Sequence, residues 1–146
     1  MSVVFRSGPE RGYALWPDFK SVPVISVAPV RRPKLDESGQ RYSFAQEKEL
    51  MKEKIRTVLR IAAAWQHRDI CVGAFGAGPG FRNPVPQLAA MWRDVLFNEE
   101  EFHDAFSNVV FAIENTSGPS ASKQPSDFDI FRREFDASNV YKTAYR

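Results

Sequence analysis

The sequence predicts a single α/β domain built on a mostly parallel sheet, and three observations carry that expectation. Three short segments are apolar at consecutive positions: Val22 to Ala28, Ile70 to Phe75 and Asn108 to Ile113. Such runs are what strands covered on both faces require. Between the segments lie stretches whose apolar residues recur every three or four positions. Strand and helix patterns therefore alternate, and right-handed crossovers turn that order into a parallel sheet. The length, 146 residues, fits one domain.

Taken in order, Ser2 to Arg6 reads as a short strand ended by Gly8-Pro9, and Arg11 to Lys20 as an irregular connection carrying Trp16-Pro17. In Val22-Pro23-Val24-Ile25-Ser26-Val27-Ala28, Pro23 stands near the start, where its missing N–H does least harm. Residues 29–42 form a polar loop with the basic cluster Arg31-Arg32-Pro33-Lys34, whose Arg31, Arg32 and Lys34 could contact phosphates, although such a pattern is ordinarily just a solvated loop.

Ser43 and Gln46 then stand as a capping box. Phe44, Leu50, Met51, Ile55, Val58, Leu59, Ala62 and Trp65 make one apolar stripe, closed by His67 and Arg68. After the strand Ile70–Phe75 and a glycine-rich connection, Asn83-Pro84 predicts a side-chain cap and a helix start. Asn98 with Glu101 predicts another box opening a short helix. The organisation expected is a domain over 1–114, a Ser/Pro/Gly-rich linker over 115–126 and a docking tail over 127–146. In that tail Phe128, Phe131 and Phe135 have helical spacing and Ser126 with Asp129 forms a box.

Bulk properties narrow the function classes. The net charge of +2 is too small to argue for nucleic acid, and no apolar run is long enough for a membrane helix. One cysteine excludes an internal disulfide and suits a cytoplasmic or nuclear setting. Cys71 lies in an apolar strand and is expected to be buried and inert. His67 and His103 are the only histidines and neither has a companion at ligand spacing, so no metal site or cofactor is expected. Twelve Phe and three Trp imply either a well-filled core or a face awaiting a partner.

The stretch with chemical potential is Gly73-Ala74-Phe75-Gly76-Ala77-Gly78-Pro79-Gly80, which leaves a strand and enters a helix. Glycines let backbone N–H groups turn inward together, and a helix start adds positive potential, so both features favour a diphosphate. A tight connection needing glycine for geometry alone is the plainer alternative. Phe81-Arg82-Asn83 stands where a P-loop needs Lys and Ser or Thr, and the third glycine of the dinucleotide fingerprint is missing. Phe81 is an aromatic placed to pack on a ribose or base.

Residues 22–114, through Val24–Ala28, Glu47–Ala63, Val72–Gly78 with Phe81-Arg82-Asn83-Pro84, and Val109–Ile113, resemble the microbial-type poly(ADP-ribose) glycohydrolase family. The match is to the family's carboxyl-terminal half, and the length and tail look most like members from filamentous fungi. The family loop reads like GAWGCGVFGNPP, so this chain has Phe75 for Trp, Ala77 for Cys and one extra residue around Pro79-Gly80. The resemblance implies a macrodomain-like three-layer α/β/α fold with a mostly parallel or mixed sheet, here in a truncated version. It implies an ADP-ribose site on Gly73, Ala74, Phe75, Gly76, Ala77, Gly78, Gly80, Phe81 and Asn83, with Gly73 to Gly80 on the diphosphate and Phe81 near the distal ribose.

The family's catalytic segment is a glycine run followed by Gln-Glu-Glu, and neither occurs here. The only acidic triplet, Glu99-Glu100-Glu101, reads as a solvated first helical turn, so no catalytic residue is carried over. The expectation is a module that recognises ADP-ribose or ADP-ribosylated protein without hydrolysing it. A structural or interaction domain, and a hydrolase using unidentified residues, are the alternatives. Neither a membrane nor specific nucleic acid is an expected partner. Strands apolar on both faces, with little chain to cover them, predict a homodimer.

Overall fold

A computed structural model describes residues 5–17, 22–114 and 125–140. Helix α1 (Ala45–Ala64) buries Met51, Ile55, Leu59 and Ala62, spaced by four, four and three residues, on one face. It is followed by strand β1 (Asp69–Val72), helix α2 (Val85–Asn98), a 3-10 turn (Glu100–Phe102) and strand β2 (Asn108–Phe111). β1 and β2 pair in parallel, with Asp69 opposite Asn108 and Val72 opposite Phe111. The fold is thus α/β around a small parallel sheet, and β1–α2–β2 is its central unit. Helices α3 (Asp127–Glu134) and α4 (Ala137–Val140) close the described chain.

The core lies between the helices and one face of the sheet. Leu88, Trp92 and Val95 of α2 are fully buried beside Met51, Ile55 and Leu59 of α1, with Val72, Phe102 and Phe131 joining them. Phe131 of α3 packs 5.3 Å from Phe111, and Phe135 lies 4.8 Å from Phe111, centroid to centroid. The tail aromatics therefore extend the core over β2. Around the buried residues, Lys52 and Arg56 of α1 reach Asp94 and Glu99, and Arg60 reaches Glu101, which ties α1 to α2 and to the turn after it.

Several sequence expectations are corrected. Val22–Ala28 is not a strand: it is paired to nothing among the described residues, and Val22 and Val24 are exposed. β1 and β2 are covered on one face rather than two. Their side chains alternate, with Cys71 and Val110 open to solvent on the far face. Cys71 is accordingly an exposed thiol, not a buried one. The apolar stripe of α1 is narrower than its spacing suggests, since Phe44, Leu50 and Trp65 are exposed.

Three expected caps also fail, each because another partner takes the residue. Ser43 donates its N–H to Lys34 O (2.8 Å), an extended pairing that delays α1 to Ala45. Asn98 remains inside α2 and donates to Asp94, while Glu99, whose carboxylate is held by Arg56 and Lys52, leads into the 3-10 turn. Asn83 turns its amide inward, as described below. The box of Ser126 and Asp129 does form at α3. Of the strand expected over Ser2–Arg6, the described part is Phe5 and Arg6, with Arg6 bridged to Leu15. Residues 115–124 of the expected linker and 141–146 of the tail lie outside the described residues.

Candidate functional site

The glycine-rich connection joins the end of β1 to the start of α2, and its glycines have unequal work. Gly76 adopts φ +83°, and a Cβ there would stand 3.0 Å from Met51 Cε, 3.1 Å from Asn83 Nδ2 and 3.2 Å from Pro29 Cβ. Both the dihedral and the space demand glycine at this position. Gly73, Gly78 and Gly80 face open space, with nothing near an added Cβ.

Asn83 is the knot that holds the loop. Its buried side chain donates to Val30 O (2.7 Å) and Gly76 O (3.0 Å), and its Oδ1 accepts from the Tyr42 hydroxyl (2.8 Å). All three of these hydrogen bonds are internal, so one side chain closes the glycine-rich connection on itself and ties it at two points to the 29–42 loop. Burial, and then the nearby Glu47 carboxylate, push the Tyr42 phenol well above its ordinary pKa, keeping it a donor to Asn83. A second link runs from Arg32 N–H to Phe81 O (2.6 Å). Arg32 and Arg82 both sit in the left-handed region, φ 51° and 58°, which non-glycine residues seldom occupy.

Within the loop, the N–H groups of Phe75, Ala77, Phe81, Arg82 and Asn83 are used on Gly73, Ala74, Gly78, Gly78 and Gly76 carbonyls. Those of Ala74, Gly76, Gly78 and Gly80 meet no acceptor among the described residues. Gly76 is itself a buried residue, and buried amides are almost always paired. The start of α2 adds to this set. Pro84 is its N-cap with no side-chain cap, so the first-turn N–H groups of Val85 and Gln87 stand outside the helical ladder. The result is a run of backbone donors at a helix amino-terminus, an arrangement that attracts anions.

The side chains at the sequence-predicted positions divide into two groups. Phe75 packs edge-on to Trp92 (6.2 Å between centroids), Ala77 packs on the core, and Asn83 is committed internally. Their backbone N–H groups are used inside the loop as well. Gly78, Gly80 and the half-buried Phe81 border open space. Arg31, Arg32 and Arg82 are exposed around them, and none forms an ion pair among the described residues. Tyr42 and the Val30 carbonyl were not singled out from sequence. They stand 41 and 53 residues from Asn83, and no local pattern links them.

The other sequence candidates stay apart. Glu99 and Glu101 are bound to Arg56, Lys52 and Arg60, and the Arg56 and Lys52 hydrogen bonds hold the Glu99 carboxyl below its usual range. Their role is to brace α1. His103 lies near Phe97 O (3.3 Å), at the carboxyl end of α2, whereas the loop enters its amino end. Among the described residues, no group of three or more His, Cys, Asp and Glu is placed to hold a metal, and no helix is long and apolar enough to cross a membrane.

No family model matches this sequence, and no curated protein does. Solved structures do. A point mutant of poly(ADP-ribose) glycohydrolase from Deinococcus radiodurans, in complex with ADP-ribose, shares 32% identity at a TM-score of 0.53, over 62% of this chain and 34% of that one. The same enzyme in two further crystal forms, also with ADP-ribose, gives TM-scores of 0.53 and 0.51 at the same identity. The chain is similar in sequence and in fold to this bacterial glycohydrolase. It spans about a third of the neighbours' length.

Proposed function

We propose that this chain binds ADP-ribose, the diphosphate resting on the backbone donors of Gly73 to Gly80 and the start of α2. The observation that carries this reading is the set of N–H groups at Ala74, Gly76, Gly78 and Gly80 that meet no acceptor among the described residues. A diphosphate offers acceptors for several donors at once, and a helix amino-terminus favours its charge. Arg31, Arg32 and Arg82 stand exposed around the loop and add positive potential. Phe81, beside Gly80, supplies an apolar surface for a ribose. The glycohydrolase neighbours, solved with ADP-ribose, support the same ligand.

The reading is of recognition without turnover, and ADP-ribosylated protein is the macromolecular form of the ligand. General acid catalysis needs a carboxyl within reach of the scissile bond. The acidic triplet, the one sequence candidate for that role, has Glu99 and Glu101 occupied in the α1 brace.

Calorimetry tests the proposal. ADP-ribose is expected to bind more tightly than AMP by about tenfold or more, since AMP brings one phosphate to a loop with several donors. Gly78→Val should erase that difference with the fold intact, because an added side chain there meets open protein space yet blocks the approach of the diphosphate. Equal binding of AMP and ADP-ribose, or none at millimolar ligand, makes the loop a turn and nothing more. Release of ADP-ribose from modified protein, lost on Glu99→Gln or Glu101→Gln, would return the triplet to catalysis.

A further inference from the structure

Residues 34–43 form a short hairpin beside the glycine-rich connection. Leu35 and Tyr42 make an antiparallel bridge, Asp36 N–H donates to Arg41 O (2.9 Å), and Ser43 N–H donates to Lys34 O (2.8 Å). At the tip the Asp36 carboxylate accepts from the Ser38 hydroxyl (2.7 Å) and from the Gln40 and Arg41 N–H groups (3.2 and 3.3 Å). The turn thus supplies its own acceptor, the usual service of an aspartate at a turn.

The hairpin is fastened at three points. Lys34 N–H donates to Glu47 Oε2 in the first turn of α1 (2.9 Å), and Tyr42 N–H donates to Gln87 Oε1 in the first turn of α2 (2.9 Å). The Tyr42 hydroxyl donates to Asn83 Oδ1 (2.8 Å). One residue therefore holds both the first turn of α2 and the asparagine that precedes its N-cap, Pro84.

Three partners agree on one orientation of the Asn83 amide. The Gly76 and Val30 carbonyls take Nδ2, and the Tyr42 hydroxyl takes Oδ1. Asn83 is 3% exposed, so removing the hydroxyl leaves Oδ1 without a donor and with little access to water. Gly76 O also accepts from Asn83 N–H (3.1 Å), so two hydrogen bonds from one residue pin Gly76.

Around Gly76 the connection has less to hold it. A Cβ added at Gly73, Gly78 or Gly80 meets nothing within 4 Å, and glycine has more backbone freedom to lose than any other residue. The N–H groups that meet no acceptor among the described residues, those of Ala74, Gly76, Gly78 and Gly80, lie before, at and after the pinned residue. A diphosphate draws on more of them at once than a single phosphate does, so it depends more on their spacing. Setting that spacing during binding costs affinity, and a loop fixed beforehand avoids the cost.

We infer that Tyr42 is a positioning residue for the diphosphate: its hydroxyl, through Asn83, fixes Gly76 and with it the spacing of the loop's donors. Its hydroxyl and N–H are spent on Asn83 and Gln87, so it works through them and not on the ligand. This inference rests on the nucleotide reading above and adds the residue, 41 positions before Asn83, that sets the grip.

Tyr42→Phe keeps the ring and removes the hydroxyl. Calorimetry with ADP-ribose and with AMP, on wild type and variant well below their unfolding temperatures, is the test. ADP-ribose is expected to bind the variant about tenfold more weakly while AMP changes by less than about twofold, so the ratio of the two affinities falls. Amide hydrogen exchange of the free variant should quicken at Gly76 and Gly78 and stay unchanged in α2 beyond its first turn. A residue that only supported the fold would weaken both nucleotides alike and leave the ratio where it was. An unchanged ratio, in a protein whose wild type prefers ADP-ribose, overturns the inference and leaves the diphosphate reading standing. A wild type that binds neither nucleotide, or both alike, overturns the two together. Gln87→Ala frees the same residue from its backbone side and should lower the ratio by about twofold to threefold. If Tyr42→Phe does not fold, Gln87→Ala decides, and an unchanged ratio there overturns the inference.

Discussion

The two sides of strand β1 are built to different standards. Toward the helices, Val72 meets a core in which Trp92, Met51, Ile55, Leu59, Leu88 and Val95 are all below 2% exposed, and charged side chains at its margin are paired. Toward the groove that parts it from Val22–Ala28, that segment's backbone groups go unused among the described residues, Val24 is 62% exposed, and Cys71 is open. The difference shows which part of the fold is complete in itself. Helices satisfy their own backbone and need only one buried stripe. A strand has two edges and two faces, and here one of each is provided for.

The largest effect expected from this contrast is on stability. Trp92 touches Phe75 and Phe111 edge-on and is fully buried, so Trp92→Ala should cost about 3–5 kcal/mol. Val24→Ser on the groove wall should change stability by less than about 0.5 kcal/mol. Urea titrations of both variants check this. A large loss from Val24→Ser would mean that Val22–Ala28 already packs into the fold in solution, and the contrast would collapse.

A smaller effect separates two glycines of one loop. At Gly76 a methyl group meets Met51, Asn83 and Pro29 at 3.0–3.2 Å in a left-handed backbone. Gly76→Ala should therefore cost about 1–3 kcal/mol, by strain and by loosening the Asn83 knot. Gly78→Ala, with nothing within 4 Å, should leave thermal unfolding nearly unchanged. If the two variants melt alike, the loop is not anchored where its hydrogen bonds place it.

What the sequence made legible follows the same divide. The helices α1 and α2, the β1–loop–α2 order and the parallel pairing of β1 with β2 were readable because their signals are local. The four-residue recurrence of Met51, Ile55 and Leu59 needs no distant partner to be recognised. The Ser126 cap was right because its partner, Asp129, is three residues away. The caps at Ser43, Asn83 and Asn98 failed where a tertiary partner competed for the residue. Asn83 as a knot was not legible, since Val30 and Tyr42 are far off in sequence. The apolar run Val22–Ala28 was read as a paired strand because sequence reports apolarity, not whether a neighbouring strand stands within reach.

The smallest expected effect concerns charge, and it should touch the helix side alone. Arg56 donates to Glu99, Glu49 and Glu53, while Lys52 donates to Asp94 and bonds Glu99. Hydrogen bonds from Arg56, and then Lys52, hold Glu99 below its ordinary value of 4.5, and Arg56 with Arg60 does the same for Glu53. For Asp94 burial works the other way, but the hydrogen bonds from Lys52 and Asn98 prevail and its pKa is lowered as well. A carboxyl whose folded pKa is depressed contributes stability that is fully present above its unfolded pKa and is lost as pH falls through the folded one. Stability should therefore be flat above about pH 5.5 and decline below about pH 4.5 as these carboxyls take up protons. Arg56→Met keeps the stem that lies along α1 and removes the guanidinium. It should cost about 1–2 kcal/mol at pH 7 and flatten the acid decline, because Glu99, Glu49 and Glu53 all lose a donor. Hydrogen exchange resolves where the loss falls: α1 and the Glu100–Phe102 turn should open first in acid. The groove wall Val22–Ala28, which includes no titratable side chain, should exchange at a rate set by solvent pH alone. If the two regions loosen together in acid, the brace and the groove belong to one cooperative unit, and the unfinished edge of β1 is coupled to the finished side.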